Sequence, residues 1–149
     1  MTASLQRTGH CLCGAVRFTA TLAKPEVGAC HCAMCRRWAS APFMAIECTH
    51  VRFSDEDQIT RFRSSDWAER GFCRQCGSAL FYHIIDADGY AMAAGLFDDQ
   101  TGLGFTHQVF IDKKPDHYDF AQETRNLTEA QIYKMYAPPG TEPISDENT

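Results

Sequence analysis

Cys-Gly occurs twice in the chain, each time closing a pair of cysteines: HCLCG over 10–14 and FCRQCG over 72–77. Nothing else in the sequence constrains the fold as much. A Cys-x(1–2)-Cys-Gly turn is a metal-binding knuckle, because glycine accepts positive φ and lets the backbone fold back to aim its amides at the sulfurs. The two pairs supply four thiolates, Cys11, Cys13, Cys73 and Cys76, which complete the tetrahedral set of a structural zinc site. The fold must therefore bring residues 11–13 and 73–76 to one ion, and closing so long a loop couples metal binding to folding. Four buried thiols serving as small hydrophobes are the other reading, and the repeated Cys-Gly pairing speaks against it.

A third cluster, ACHCAMCRRW over 29–38, has three sulfurs and no closing glycine. Side chains two apart on an extended backbone point the same way, so Cys30 and Cys32 can grip one ion while His31 points away. A turn through Ala33 and Met34 would bring Cys35 to the third vertex. Three protein ligands and a fourth position open to water, a thiol or a carbonyl oxygen form the pattern of a catalytic zinc. Such an ion acts as a Lewis acid or stabilises a thiolate nucleophile near neutral pH. Two other readings stay open. A fourth protein ligand, from His31, Cys48, His10, His50, His83, His107 or His117, would make the site structural. Alternatively, the three thiols form a redox cluster without metal. Cys48, alone in an apolar run, reads as a packed strand residue. Arg36 and Arg37 beside the trio would favour ionised sulfur and could bind the carboxylates of an anionic ligand. They read equally well as a solvated turn followed by an aromatic core residue, Trp38. Lys113 and Lys114 are a weaker case of the same kind.

The eight cysteines also bear on compartment. The N-terminal run MTASLQRTGHCLCG has no apolar stretch, so no secretory signal is expected, and no apolar run is long enough to span a bilayer. A cytoplasmic protein is expected, and there reduced thiols make a disulfide framework a poor account of the cysteines. The formal charge of −5 argues against a nucleic-acid partner, whose phosphates need a basic face. Seven metal-bound thiolates carrying two zinc ions would make the chain more negative still. The length of 149 residues fits one zinc-binding domain over 1–149, with a core over about 8–137. The Pro-rich, acidic end, about 138–149, is expected to be disordered.

The body reads as mainly β. Short strand-like runs lie at 15–22, 41–48, 59–64, 79–85, 90–97 and 105–111, separated by turn signals such as Lys24-Pro25, Asp88-Gly89 and Lys114-Pro115. One C-terminal helix is expected over 126–136, where Leu127, Ile132 and Tyr136 recur at near-helical spacing and Thr128 with Gln131 can form a capping box.

CLCGAVRF, ACHCAMCRRW and RGFCRQCGSALFY, in this order and spacing, resemble the glutathione-dependent formaldehyde-activating enzyme family, which includes centromere protein V-like proteins. The resemblance runs from about His10 to Phe120, and HQVFIDKKPDHYDF over 107–120 is similar to the family's C-terminal strand and turn. It implies an Mss4-like fold, a β-tent of packed antiparallel sheets with bound zinc. It implies one structural zinc on Cys11, Cys13, Cys73 and Cys76 and one catalytic zinc on Cys30, Cys32 and Cys35. The implied activity is that of a carbon–sulfur lyase of the S-(hydroxymethyl)glutathione synthase type, which joins formaldehyde or a similar small aldehyde to glutathione or another thiol. The implied partners are a small thiol and a small aldehyde. The competing reading is a non-catalytic zinc scaffold that binds a protein or peptide.

Overall fold

Alternation builds the first part of the fold. Val16, Phe18, Ala20 and Leu22 are all buried, with Arg17, Thr19 and Thr21 between them less so. That period of two is the mark of a strand with one face on a core. The computed structural model describes residues 5–136. In chain order its elements are β1 Gln6–His10, β2 Arg17–Leu22, β3 Glu26–Cys30, α1 Ala33–Ala39, β4 Phe43–Phe53, β5 Ile59–Arg63, β6 Ala68–Cys73, β7 Ala79–Ile84, β8 Tyr90–Ala93, β9 Gly104–Val109, β10 Arg125–Leu127 and α2 Glu129–Tyr136. The protein is mainly β, as expected. These residues group into two compact units, 5–27 with 45–104, and 28–44 with 105–136.

The first unit is an antiparallel sheet. β2 pairs with β1 and with β4, β4 with β8, β8 with β7, β7 with β6 and β6 with β5. Its core is aromatic: Phe18 meets Phe97 edge-on at 5.3 Å, and Phe81 meets Phe53 at 5.4 Å and Tyr90 at 5.0 Å. The edge-to-face contacts of Phe18 with Phe97 and of Phe81 with Tyr90 add to the burial of large apolar area. β1 and β6 are separated by β2, β4, β8 and β7 in the pairing order. Their ends nonetheless deliver Cys11 and Cys73 to one place, so this sheet curls back on itself.

The second unit is smaller and mixed. β10 runs parallel to β9, with Asn126 opposite Gln108. Phe105 packs edge-on against Phe120 at 4.8 Å, and Trp38 lies 5.0 Å from Phe43. α2 starts with the anticipated capping box: the Gln131 amide donates to the Thr128 hydroxyl at 3.3 Å, and the Thr128 amide donates to Gln131 Oε1 at 2.8 Å.

Several expectations need correction. The turn after Cys32 is a helix, α1, because Ala33, Met34, Arg36 and Arg37 are good helix formers and Cys32 caps them. It ends at Ser40, whose φ of 71° is left-handed and whose amide closes on the Arg36 carbonyl. The segment 126–136 is not all helix: its first residues continue β10 and the helix begins at Glu129. The run 90–97 is a four-residue strand followed by a 3-10 turn at Ala94–Leu96. β1, β3, β6 and β10 were not anticipated. In β6, AERGFC, the charged Arg70 breaks the apolar pattern yet is buried, with its guanidinium 5.1 Å from the Tyr82 ring. The tail at 138–149 lies outside the described residues.

Candidate metal centres

Cys11, Cys13, Cys73 and Cys76 come together in the first unit, and Cys30, Cys32 and Cys35 in the second; within each group the sulfurs lie within 4.8 Å of one another. All eight cysteines are free of disulfides. Both groups of sulfurs can hold a metal ion.

The four-sulfur group is made by two turns of one design. In the first, the Cys11 amide donates to the Val16 carbonyl at 3.0 Å and the Gly14 amide to the Cys11 carbonyl at 3.1 Å. In the second, the Cys73 amide donates to the Ser78 carbonyl at 3.0 Å and the Gly77 amide to the Cys73 carbonyl at 2.8 Å. Gly14 has φ of 81° and Gly77 of 78°, a conformation that a side chain would strain. Folding back this way aims backbone amides at sulfur. Val16 donates to Cys11, Ala15 to Cys13, and both Gln75 and Cys76 to Cys73, at 3.3 to 3.4 Å. Ser78 joins the turns: its hydroxyl lies 3.2 Å from Cys76 Sγ and accepts from the Leu12 amide at 3.1 Å.

The spacing fits a thiolate-bound metal. Zinc–sulfur bonds of about 2.3 Å in a tetrahedron put the sulfurs about 3.8 Å apart. Here Cys11 and Cys13 are 3.7 Å apart, and Cys13 and Cys73 3.8 Å. The thiols also compete for charge. Ser78's hydroxyl, followed by the Ser78 and Cys13 amides, holds the Cys76 thiol down to about 5. The Ala15 amide pulls Cys13 the same way, but burial and the thiols of Cys76, Cys11 and Cys73 outweigh it and push Cys13 up to about 11. Four thiolates this close need a cation among them.

The trio is built differently. Cys30 ends β3, Cys32 is the N-cap of α1, and Cys35 lies in the helix's first turn. Cys32 Sγ accepts the Cys35 amide at 3.3 Å, which satisfies one of the helix's orphan donors. Contact with the thiols of Cys32 and Cys35, followed by burial, holds Cys30 well above an ordinary thiol. This set too favours a cation.

His31 points away from the sulfurs, as the alternation requires, and both its ring nitrogens are occupied. Nδ1 is 2.7 Å from the Tyr118 hydroxyl and Nε2 is 2.8 Å from Gln108 Oε1. Burial lowers its pKa, and the charges of Lys114 and Arg36 act in the same direction. The other candidate fourth ligands are also placed elsewhere. Cys48 is a buried strand residue whose thiol donates to the Ile46 carbonyl at 3.4 Å, and burial pushes it up to about 12. His10 approaches the Cys11 carbonyl and Asp98, His50 the Thr49 hydroxyl, and His83 Glu69 and the Ala87 carbonyl. His107 packs its ring over Gly28, and His117 stands edge-on to Tyr118. Among the described residues, none of these joins a metal-binding group.

Arg36 turns its Nε to the His31 carbonyl at 2.9 Å, whereas Arg37 is exposed. Lys113 pairs with Glu129 at 3.5 Å and Lys114 with Asp119 at 2.8 Å. Ser78, Gln108 and Tyr118 were not singled out from the sequence. Only Ser78 had a local signal, its place directly after the second Cys-Gly.

The model of the family described as glutathione-dependent formaldehyde-activating enzyme matches residues 6–113. A protein of Schizosaccharomyces pombe named as an uncharacterized lyase is 39% identical over 128 residues, covering 85% of this chain and 93% of its own. A crystal structure of a Rhodobacter sphaeroides protein, a structural genomics target, is similar with a TM-score of 0.54 and 22% identity. It covers 66% of this chain and 99% of that one, a likeness of fold.

Proposed function

The chain belongs to the glutathione-dependent formaldehyde-activating enzyme family, and on that premise we propose that it is a zinc-dependent carbon–sulfur lyase acting in the cytoplasm. Its reaction joins formaldehyde or a similar small aldehyde to glutathione or another thiol. Cys11, Cys13, Cys73 and Cys76 hold the structural zinc, and Cys30, Cys32 and Cys35 the catalytic one. The observation that carries this reading is the count of ligands. The trio offers three sulfurs, and the histidine between them is turned away and satisfied on both nitrogens. A site so built keeps one coordination position for a ligand that the described residues do not supply.

Zinc bound there would supply Lewis acidity and favour the ionised form of a thiol. The chain's own part is to hold three sulfurs at fixed positions and keep His31 out of the way. In the reaction the thiol sulfur bonds to the aldehyde carbon, the carbonyl π pair moves to oxygen, and the thiol proton ends on that oxygen. Arg37, exposed directly after the trio, would meet a carboxylate of an anionic thiol such as glutathione. Arg36 contributes through the His31 carbonyl. Free cysteines throughout suit a reducing compartment.

The test is NMR exchange between formaldehyde, glutathione and their adduct, with zinc-loaded protein and a Cys32→Ser background. Faster exchange with the wild type alone supports the lyase. Equal rates would remove this substrate pair and favour a zinc scaffold that binds a protein or peptide.

A further inference from the structure

We propose that Gln108 and Tyr118 are positioning residues for the thiol trio: they clamp His31 in one tautomer and thereby keep three sulfurs, and no nitrogen, on the metal side of the Cys30–Cys32 segment. The proposal rests on the reading of the trio as the open catalytic centre.

His31 is 0% exposed and sits between two ligand sulfurs. Four hydrogen bonds converge on it. Its amide donates to the Val109 carbonyl at 3.1 Å and its carbonyl accepts Arg36 Nε at 2.9 Å. The ring is fixed by a one-way chain. Gln108 Nε2 donates to the Thr124 hydroxyl at 2.9 Å, which leaves Gln108 Oε1 facing His31 Nε2 at 2.8 Å. An amide oxygen only accepts, so His31 carries its proton on Nε2. Nδ1 then offers a lone pair, and the Tyr118 hydroxyl donates to it at 2.7 Å. At the far end Thr124 donates onward to Asn126 Oδ1 at 2.7 Å. Tyr118 also stacks on the imidazole, with centroids 5.5 Å apart and planes at 26°. Lys114 holds Tyr118 in turn, through its carbonyl at 2.6 Å and over its ring at 5.3 Å.

The consequence for the metal side follows from the backbone. Successive side chains on an extended segment point to opposite sides, so fixing the His31 ring fixes where the sulfurs of Cys30 and Cys32 project. A clamp that occupies both ring nitrogens holds this arrangement, and a ring left loose would let the sulfurs shift from the positions the metal needs. The clamp also avoids leaving buried ring nitrogens unsatisfied.

Cobalt(II) loading of the full chain tests this without turnover. Wild type, Gln108→Leu, Gln108→Glu and Tyr118→Phe would be titrated with cobalt, and the thiolate-to-cobalt band followed with and without added glutathione as the thiol probe. Gln108→Leu is expected to weaken cobalt at the trio by about tenfold or more, because the segment that carries two of the sulfurs loses the group that orients it. It should also alter the band and its response to thiol while leaving the four-sulfur site loaded. Gln108→Glu keeps an acceptor for the Nε2 proton and should restore most of the affinity, which a loss of packing alone would not predict. Tyr118→Phe, which keeps the stacked ring, should shift affinity in the same direction by less, and it carries the test if Gln108→Leu does not fold. Variants that load and respond as the wild type does, or a Glu variant no better than Leu, overturn the clamp alone. A wild type that binds no cobalt at the trio overturns the catalytic-centre reading and the clamp with it.

Discussion

The two cysteine groups use the same ligand atom and differ in almost everything around it. The four-sulfur group is finished by its own chain. Two glycines at positive φ fold the turns, backbone amides point at sulfur, and Ser78 ties one turn to the other. The trio has no glycine turn. One of its sulfurs caps a seven-residue helix, and the residue between the other two is turned away and held there. Ligands that close a chain on itself are surrounded by backbone donors that make thiolates easy to keep. The trio's sulfurs are instead held from behind, through the residue between two of them. The difference gives each site its own way of failing.

The largest effect expected is from Cys76→Ser. A structural zinc site contributes about 10–16 kcal/mol of apparent binding energy, comparable to or above the total stability of about 5–15 kcal/mol of a typical domain. Circular dichroism and metal analysis should find this variant unfolded or molten at 37 °C. A Cys76→Ser protein that keeps two zinc equivalents and its melting temperature would erase the contrast between the sites. Metal removal sharpens it further. A site with three protein sulfurs should surrender its ion to a chelator before one with four, so a graded titration should release one equivalent with the fold intact and the second with unfolding. Simultaneous release would mean that the sites are equivalent or coupled.

How far the sequence could see this contrast depends on the range of the interactions. The Cys-Gly pairs are local patterns, and so is the alternation of Val16, Phe18, Ala20 and Leu22; both were legible. α1 was hidden because Cys30 and Cys32 read as extended, which they are, and that reading was carried too far into Ala33 and Met34. β6 was hidden because Arg70 looks like a surface residue until Tyr82 covers it. The clamp on His31 was out of reach for a different reason. Gln108 and Tyr118 lie 77 and 87 residues from it, and a hydrogen bond across that distance leaves no periodicity behind. That His31 points away from the sulfurs was readable from spacing; what it points toward was not.

Ser78→Ala should have an intermediate effect confined to the four-sulfur side. It removes the acceptor of the Leu12 amide and the hydroxyl beside Cys76. Losing the hydrogen bond from the Leu12 amide costs about 0.5–1.5 kcal/mol, and losing the one to sulfur adds to it. Thermal denaturation should fall by several degrees, since about 1 kcal/mol corresponds to roughly 2–4 °C at this chain length. Zinc at the trio should be unaffected. An equal loss of both ions would show that the two groups share their stability.

The smallest effect is the most discriminating, because it separates the sulfur's two roles in the trio. Cys32 is a proposed metal ligand and also the cap of α1, through the Cys35 amide at 3.3 Å. Serine cannot replace a thiolate on zinc, but it is among the best N-caps, whereas alanine is neither. Both Cys32→Ser and Cys32→Ala should therefore lose the trio's zinc and any turnover. Only the alanine variant should lose the cap, at about 1 kcal/mol, so its melting temperature should lie a few degrees below that of the serine variant. Both should remain well above Cys76→Ser. If the serine variant unfolds as Cys76→Ser does, the trio holds the fold together through its metal, and it is a second structural site. If serine and alanine melt together but high, the cap contributes nothing, and sulfur is at the start of α1 for the metal alone.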